Sequence, residues 1–189
     1  MADSDGSKPL TVAITGPTGD IGRSVVRALE RSKEVGRIIG MARRPFDIAA
    51  HGWEKVEYRR GDVLDRASVD SLVEEADVVV HLAFVIVAGR DESREINLRG
   101  SRNVFEAAAA AGARRLVYTS SVAAYGFDRN LPALLDEDEP LRGSSRHPYS
   151  AHKAEVEELL GEVLATSDTT PTSSGPASSP APTRRCCST

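Results

Sequence analysis

The residues best suited to chemistry are Tyr149 and Lys153, in the segment His147-Pro-Tyr-Ser-Ala-His-Lys153. They stand four apart where a helical pattern begins, so they share one helical face. A phenol has a pKa near ~10 and is a poor base at neutral pH. A neighbouring ammonium favours the phenolate. The pair therefore suits proton exchange with a hydroxyl or carbonyl oxygen. The same spacing is also common between surface neighbours, so its weight depends on what accompanies it. Upstream, the serines of Tyr118-Thr-Ser-Ser-Val-Ala-Ala-Tyr-Gly126 offer hydroxyls that could orient such an oxygen.

A second constellation is Thr15-Gly-Pro-Thr-Gly-Asp-Ile-Gly22. Gly16 permits a tight turn, Gly19 lets the backbone approach a pyrophosphate, and Gly22 lets helix and strand pack closely. The helix N-terminus then faces the phosphate charge. A strand pattern precedes the glycines and a helical one follows, which disfavours a plain surface loop. Gly16, Thr18, Gly19, Asp20, Ile21 and Gly22 are accordingly candidate dinucleotide contacts. An NAD-selective domain usually places an acid at the end of its second strand, about 20 residues on. Here that stretch reads Gly40-Met-Ala-Arg-Arg-Pro45, with no acid. Arg43 and Arg44 could pair with a 2′-phosphate, which leans the reading to NADP. They could equally be solvated loop charges, and NAD stays open.

These residues need elements to hold them. Leu10–Ile14, Arg37–Met41, Val56–Tyr58, Val78–Leu82 and Arg115–Tyr118 read as strands. Ile21 to Arg31, Ala67 to Glu75, Glu92 to Ala111 and Tyr149 to Leu164 read as helices. Ile21, Val25, Val26 and Leu29 share one helical face, and Gly112 caps the third helix. Strands alternating with helices imply an α/β fold: a Rossmann-like, doubly wound parallel sheet covered on both faces.

With these motifs in this order, the chain resembles the short-chain dehydrogenase/reductase family, in its extended, NAD-dependent epimerase/dehydratase branch. The G-x-x-G-x-x-G spacing after Thr15 is similar to that family's loop. The resemblance covers about Leu10 to Leu164 and includes Asn97-Leu-Arg-Gly-Ser-Arg-Asn103, with Ser101 for the usual Thr. It implies that Asp62 contacts the adenine amino group and that Val63 flanks the ring. It implies that His81-Leu-Ala83 passes under the cofactor, making Leu82 and Ala83 contacts. His81 itself reads as a satisfied buried histidine. In the family the active serine lies four residues before a Tyr-Gly pair, which selects Ser121 over Ser120. The implied catalytic set is Ser121, Tyr149 and Lys153, with Tyr149 and Lys153 also touching the nicotinamide ribose region. The implied activity is an NAD(P)-dependent oxidoreductase, or an epimerase/dehydratase, acting on a hydroxyl or carbonyl carbon, with a nucleotide sugar among the substrates the resemblance allows. An NAD(P)-binding sensor and an inactive fragment are the competing readings. The resemblance also allows a homodimer through the helices around 92–111 and after Tyr149.

The chain has 189 residues and a formal net charge of -4, with scattered basic residues, so neither nucleic acid nor a membrane surface is an expected partner. A small-molecule substrate is. The only cysteines, Cys186 and Cys187, are adjacent, with no metal or disulfide spacing, which points to a reducing cytoplasm and no metal. No apolar stretch suits a signal peptide or a bilayer span. Three regions are expected: a flexible N-terminus (1–8), a dinucleotide-binding domain (9–165), and a disordered Ser/Thr/Pro/Ala tail (166–189). Apolar periodicity stops after Leu164, so the sheet is expected to be incomplete at its C-terminal edge. The tail reads as a truncation or a reading-frame slip, leaving an open strand edge and marginal stability.

Overall fold

In a computed structural model, residues 8–86, 89–132, 134–136, 138–167 and 169–174 are described, apart from the side chains of Arg90 and of 170–174. The expectations for Met1 to Ser7, for 175–189 and for both cysteines lie outside the described residues. Six parallel strands form one sheet in the order β3-β2-β1-β4-β5-β6. They are β1 Leu10–Thr15, β2 Val35–Ala42, β3 Val56–Arg60, β4 Val78–His81, β5 Arg115–Thr119 and β6 Thr170–Ser174. The order runs outward from β1 to β3 and then restarts on the other side of β1 at β4. The crevice between the C-terminal ends of β1 and β4 is where such sheets bind ligands.

Strand residues alternate between two cores, as a period of two requires. Ala13, Ile39, Met41, Val79, Leu116 and Tyr118 face one side. There they meet α2 (Arg66–Val73), α4 (Ser101–Ala110) and α5 (Pro148–Leu164), through Val69, Leu72, Phe105, Val156 and Leu160. Val12, Ile14, Ile38 and Val80 face the other side and meet Val26, Val25 and Leu29 of α1 (Asp20–Arg31). Ile21 departs from this helical face: it is 59% exposed, because the first turn of α1 lies at the crevice and not over the sheet.

Two further departures from the sequence reading concern regular elements. The expected helix over 92–111 is interrupted. It comprises α3 (Arg90–Arg94), a π-helical segment Glu95–Gly100 and then α4. The Ser101 hydroxyl donates to the Asn97 carbonyl, and Gly100 lies against Val63, where a Cβ would come within 2.6 Å of the valine Cγ2. Gly112 does end the helix, at φ 69°. The second departure is β6, in a stretch expected to be disordered. It pairs in parallel with β5 from Arg115↔Thr170 to Thr119↔Ser174. Sheet pairing uses backbone groups, so β5 can recruit a segment without large apolar residues. Among the described residues, the last strand on that side of the sheet is therefore β6 and not β5.

Two local constraints hold the crevice. Gly16 has φ 74°, and a Cβ there would lie 2.9 Å from the Ala83 nitrogen. At Gly22 a Cβ would lie 2.2 Å from the Gly16 carbonyl oxygen and 2.8 Å from Pro17 backbone atoms. The other constraint is a buried hydrogen-bond chain through His81. Its Nδ1 lies 2.7 Å from the Thr15 hydroxyl and its Nε2 lies 2.9 Å from the Ser101 hydroxyl. Ser101 already donates its proton to Asn97, so it must accept from Nε2–H. Nδ1 is then the acceptor and Thr15 the donor. The Thr15 oxygen in turn accepts from the backbone N–H groups of Leu82 and Ala83. Burial, with a smaller push from the Lys153 charge, brings His81 down to about 3, so the imidazole is neutral at physiological pH.

Gly22→Ala is expected to lower stability by about 1–3 kcal/mol in urea unfolding, because only backbone can yield to the methyl group. His81→Ala is expected to cost about 2–4 kcal/mol, through the cavity left behind and the stranded Thr15 hydroxyl. The histidine also sets a pH dependence. The unfolded chain takes up a proton on His81 below its ordinary 6.5, whereas the folded chain does so only near 3. Folding is therefore weakened progressively as pH falls from 6.5 towards 3, and His81 contributes no pH slope above 6.5. Unfolding curves of wild type and His81→Ala across that window should differ in slope.

Candidate functional site

The glycine loop leaves β1 at Thr15 and feeds α1. It forms one wall of a cavity of about 440 Å³. Gly16, Thr18, Gly19, Arg43, Arg44, Asp62, Val63, Leu82 and Ala83 all line it, so the crevice unites most of the residues singled out from sequence. Gly22 lies beneath the loop, permitting its close approach to α1. Asp20 does not line this cavity; its carboxylate is in an ion pair with Arg23 at 2.5 Å in the first turn of α1.

The segment carrying Arg43 and Arg44 is held by its backbone. Arg60 Nε donates to the Arg43 carbonyl at 3.1 Å, and the Tyr58 hydroxyl donates to the Arg44 carbonyl. Both arginine side chains are exposed at the cavity, and neither forms an ion pair among the described residues. Asp62 Oδ1 accepts from the Leu64 N–H at 3.0 Å, which fixes the turn and leaves the second carboxylate oxygen for a ligand.

A smaller cavity of about 140 Å³ adjoins the first through Leu82 and Phe84, which line both. Its wall includes Ile21, Tyr118, Thr119, Ser120, Tyr149 and Lys153. Helix α5 brings Tyr149 and Lys153 to it together, with Lys153 Nζ 5.9 Å from the Tyr149 ring centre. Lys153 is buried. Its ammonium donates to the Tyr118 hydroxyl at 3.0 Å and to the Thr119 carbonyl at 2.6 Å, and lies 3.7 Å from the Phe84 ring centre. Burial pushes the Lys153 ammonium down to about 8 and the Tyr118 phenol up. The Phe84 ring meets Tyr149 edge-on at 5.6 Å.

Ser121 occupies a different position from its neighbour. It caps a 3-10 turn, Val122–Tyr125, and its hydroxyl oxygen accepts from the Ala123 N–H at 3.2 Å. That turn is fastened to α5 by Ser150, whose hydroxyl donates to the Ala123 carbonyl at 2.6 Å. Ser120, and not Ser121, lines the smaller cavity. Phe84, Ser120 and the lysine partners Tyr118 and Thr119 were not identified as site residues from sequence. Their roles arise from contacts between β4, β5 and α5, which no spacing motif encodes. Asn97 was noted only as part of a motif. Its side-chain amide pairs with both backbone groups of Val85, at 2.8 and 2.9 Å, and so fixes the loop that carries Phe84.

Comparison with known proteins bears on the fold and the family. Human 3 beta-hydroxysteroid dehydrogenase type 7 is 35% identical over 178 residues, covering 86% of this chain and 47% of that protein. Sterol demethylase protein B of Methylococcus capsulatus is 36% identical over 122 residues, 63% of this chain and 37% of its own length. The chain thus spans about half the length of the human relative. A short-chain dehydrogenase/reductase superfamily protein from Agrobacterium tumefaciens, solved with bound NAD, superposes with a TM-score of 0.72 at 30% identity, covering 86% of this chain and 48% of that one. The UDP-Glc/GlcNAc 4-epimerase of Campylobacter jejuni shares the fold, with a TM-score of 0.76 at 21% identity, covering 88% and 53% of the two chains. Among the described residues, no helix is long and apolar enough to cross a membrane. The model of the NAD dependent epimerase/dehydratase family matches residues 12–178, and the chain belongs to that family of NAD-dependent enzymes.

Proposed function

We propose that this chain is the cofactor-holding, proton-transferring half of an NAD(P)-dependent oxidoreductase acting on a secondary hydroxyl or its ketone. The observation that carries the reading is the convergence of Tyr149 and Lys153 on a cavity that adjoins the glycine-loop cavity through Leu82 and Phe84. The residues present fit a dinucleotide: Gly16 and Gly22 let the loop close against Ala83 and Pro17, where a Cβ would collide with backbone, and the 440 Å³ cavity that the loop walls extends to Asp62 and Val63. When bound, the cofactor supplies the hydride chemistry.

The chain's own residues supply the rest. Tyr149 gives or takes the proton of the reacting oxygen. Lys153, cationic and buried beside it, favours the phenolate and is placed to hold the nicotinamide ribose. Ser121 is the family-pattern serine for orienting the same oxygen, and its capping bond leaves its O–H proton free. To reach that oxygen its hydroxyl would have to turn towards the smaller cavity, whose wall it does not form. Asp62 and Val63 hold the adenine. Arg43 and Arg44, exposed at the cavity and without ion pairs among the described residues, favour NADP over NAD by offering charge-assisted bonds to a 2′-phosphate. The sterol and nucleotide-sugar names among the relatives make a cyclic secondary alcohol the substrate class to test first, with redox, epimerase and dehydratase outcomes sharing these residues. A cytoplasmic protein, paired through α4 and α5 as a homodimer, completes the reading.

Turnover followed by NAD(P)H absorbance with a 3β-hydroxysteroid, and by both absorbance and product chromatography with UDP-glucose, since epimerisation and dehydration leave no net NAD(P)H, tests it. Tyr149→Phe is expected to lower turnover by about 10²–10⁴-fold with cofactor affinity retained. Undiminished turnover in that variant removes Tyr149 from the chemistry. The double variant Arg43→Ala, Arg44→Ala should weaken NADP⁺ by about tenfold or more and leave NAD⁺ unchanged, since a bond to a charged group contributes about 1.5–3 kcal/mol. Equal loss for both nucleotides would assign the arginines another role.

A further inference from the structure

Ser120 is the first residue beyond β5, and the family pattern passes over it in favour of Ser121. It is 8% exposed, and its hydroxyl oxygen is buried with no hydrogen-bond partner among the described residues. A buried hydroxyl left unpaired costs about 1–3 kcal/mol, so such a group needs a cause, and one beside a cavity points to a partner that arrives there. The smaller cavity that Ser120 lines is bounded by Tyr149 and Lys153 and shares Leu82 and Phe84 with the cofactor cavity. A dinucleotide with its adenine at Asp62 and Val63 would direct its nicotinamide end past Leu82 and Phe84 towards the cavity that Ser120 lines. The carboxamide of that ring has both a carbonyl acceptor and N–H donors, and an unpaired hydroxyl can both donate and accept. Ser121, by contrast, already spends an acceptor site on the Ala123 N–H.

We propose that Ser120 is a cofactor-positioning residue, its hydroxyl bonding the nicotinamide carboxamide and fixing the ring beside Tyr149. This rests on the oxidoreductase reading above and adds a contact to it. It also predicts an unusual combination for a buried polar residue: no stabilising role in the free chain, and a measurable one in the loaded chain.

The test uses the full 189-residue chain and two ligands, NADP⁺ and its nicotinamide-free fragment 2′-phospho-ADP-ribose, with NAD⁺ and ADP-ribose replacing them if wild type prefers NAD. Calorimetric affinities and melting temperatures are measured for wild type, Ser120→Ala and Ser121→Ala. Ser120→Ala is expected to melt no lower than wild type without ligand, because the hydroxyl it removes has no partner. It should bind the intact dinucleotide about threefold to tenfold more weakly, the range of one neutral hydrogen bond, and bind the fragment as wild type does. Unchanged affinity for the intact dinucleotide overturns the assignment, and so does equal weakening for both ligands, which would mean a packing role. Reduced turnover with unchanged cofactor affinity also overturns it, placing the hydroxyl on the substrate. A wild-type chain that binds neither ligand overturns the cofactor reading itself, a result distinct from loss of the Ser120 contact alone. Ser121→Ala, which loses the turn's cap, should lower the melting temperature of the free chain, and so calibrates what a structural serine does there.

Discussion

The Thr15–His81–Ser101 hydrogen-bond chain is the constraint on which the crevice depends. It joins the last residue of β1, the last residue of β4 and the first residue of α4 in one buried run. Thr15 also receives the N–H groups of Leu82 and Ala83, so the backbone leaving β4 is held against the start of the glycine loop. The two walls of the crevice diverge from the same small cluster. Because the imidazole is neutral and each ring nitrogen has a defined role, the cluster has one tautomer and one geometry. The ring also packs against Phe105 and Tyr118, edge-on at 5.5 Å and stacked at 5.9 Å, which ties the polar chain into the apolar core.

The π-helical segment follows from the same cluster. Ser101 takes the Asn97 carbonyl as its acceptor, and the Asn97 side chain turns to the Val85 backbone. A straight α-helix over this stretch would carry those side chains around a tighter turn. The wider turn lets one asparagine serve the loop that carries Phe84, while Gly100 accommodates Val63 at the cofactor cavity. Local π geometry at functional sites is a recurrent device, and here its cause is identifiable.

Lys153 shows how burial and chemistry are balanced. Removing an ammonium from water is costly unless its protons find acceptors. Two of them reach Tyr118 and Thr119, and the Phe84 ring covers the third direction through a cation–π contact. The amine thereby stays inside a largely apolar wall, held down to about 8, close to the range in which proton exchange is useful. Phe84 also stands at the junction of the two cavities, so the residue that shields the lysine also shapes the passage along the crevice.

Much of this was determined by sequence alone. The glycine spacing, the strand-helix alternation and the Tyr149–Lys153 pair are local patterns, and local patterns survive being read without a structure because backbone geometry fixes where such residues point. The alternating cores, the doubly wound order and the loop residues Gly16 and Gly19 follow from them, whereas Asp62, Val63, Leu82 and Ala83 were legible only through the resemblance to the family. Only the tertiary structure decided three things. The break between α3 and α4 depends on bonds to Val85 and His81, which lie on other elements. β6 depends on the free edge of β5 and not on its own composition. The contrast between Ser120 and Ser121 depends on which hydroxyl the 3-10 turn consumes, a matter of how β5 meets α5. In the first two cases the deciding partners lie on other elements, and in the third the turn that takes the Ser121 hydroxyl is fastened by Ser150, 27 residues from Ala123; periodicity carries no record of these contacts.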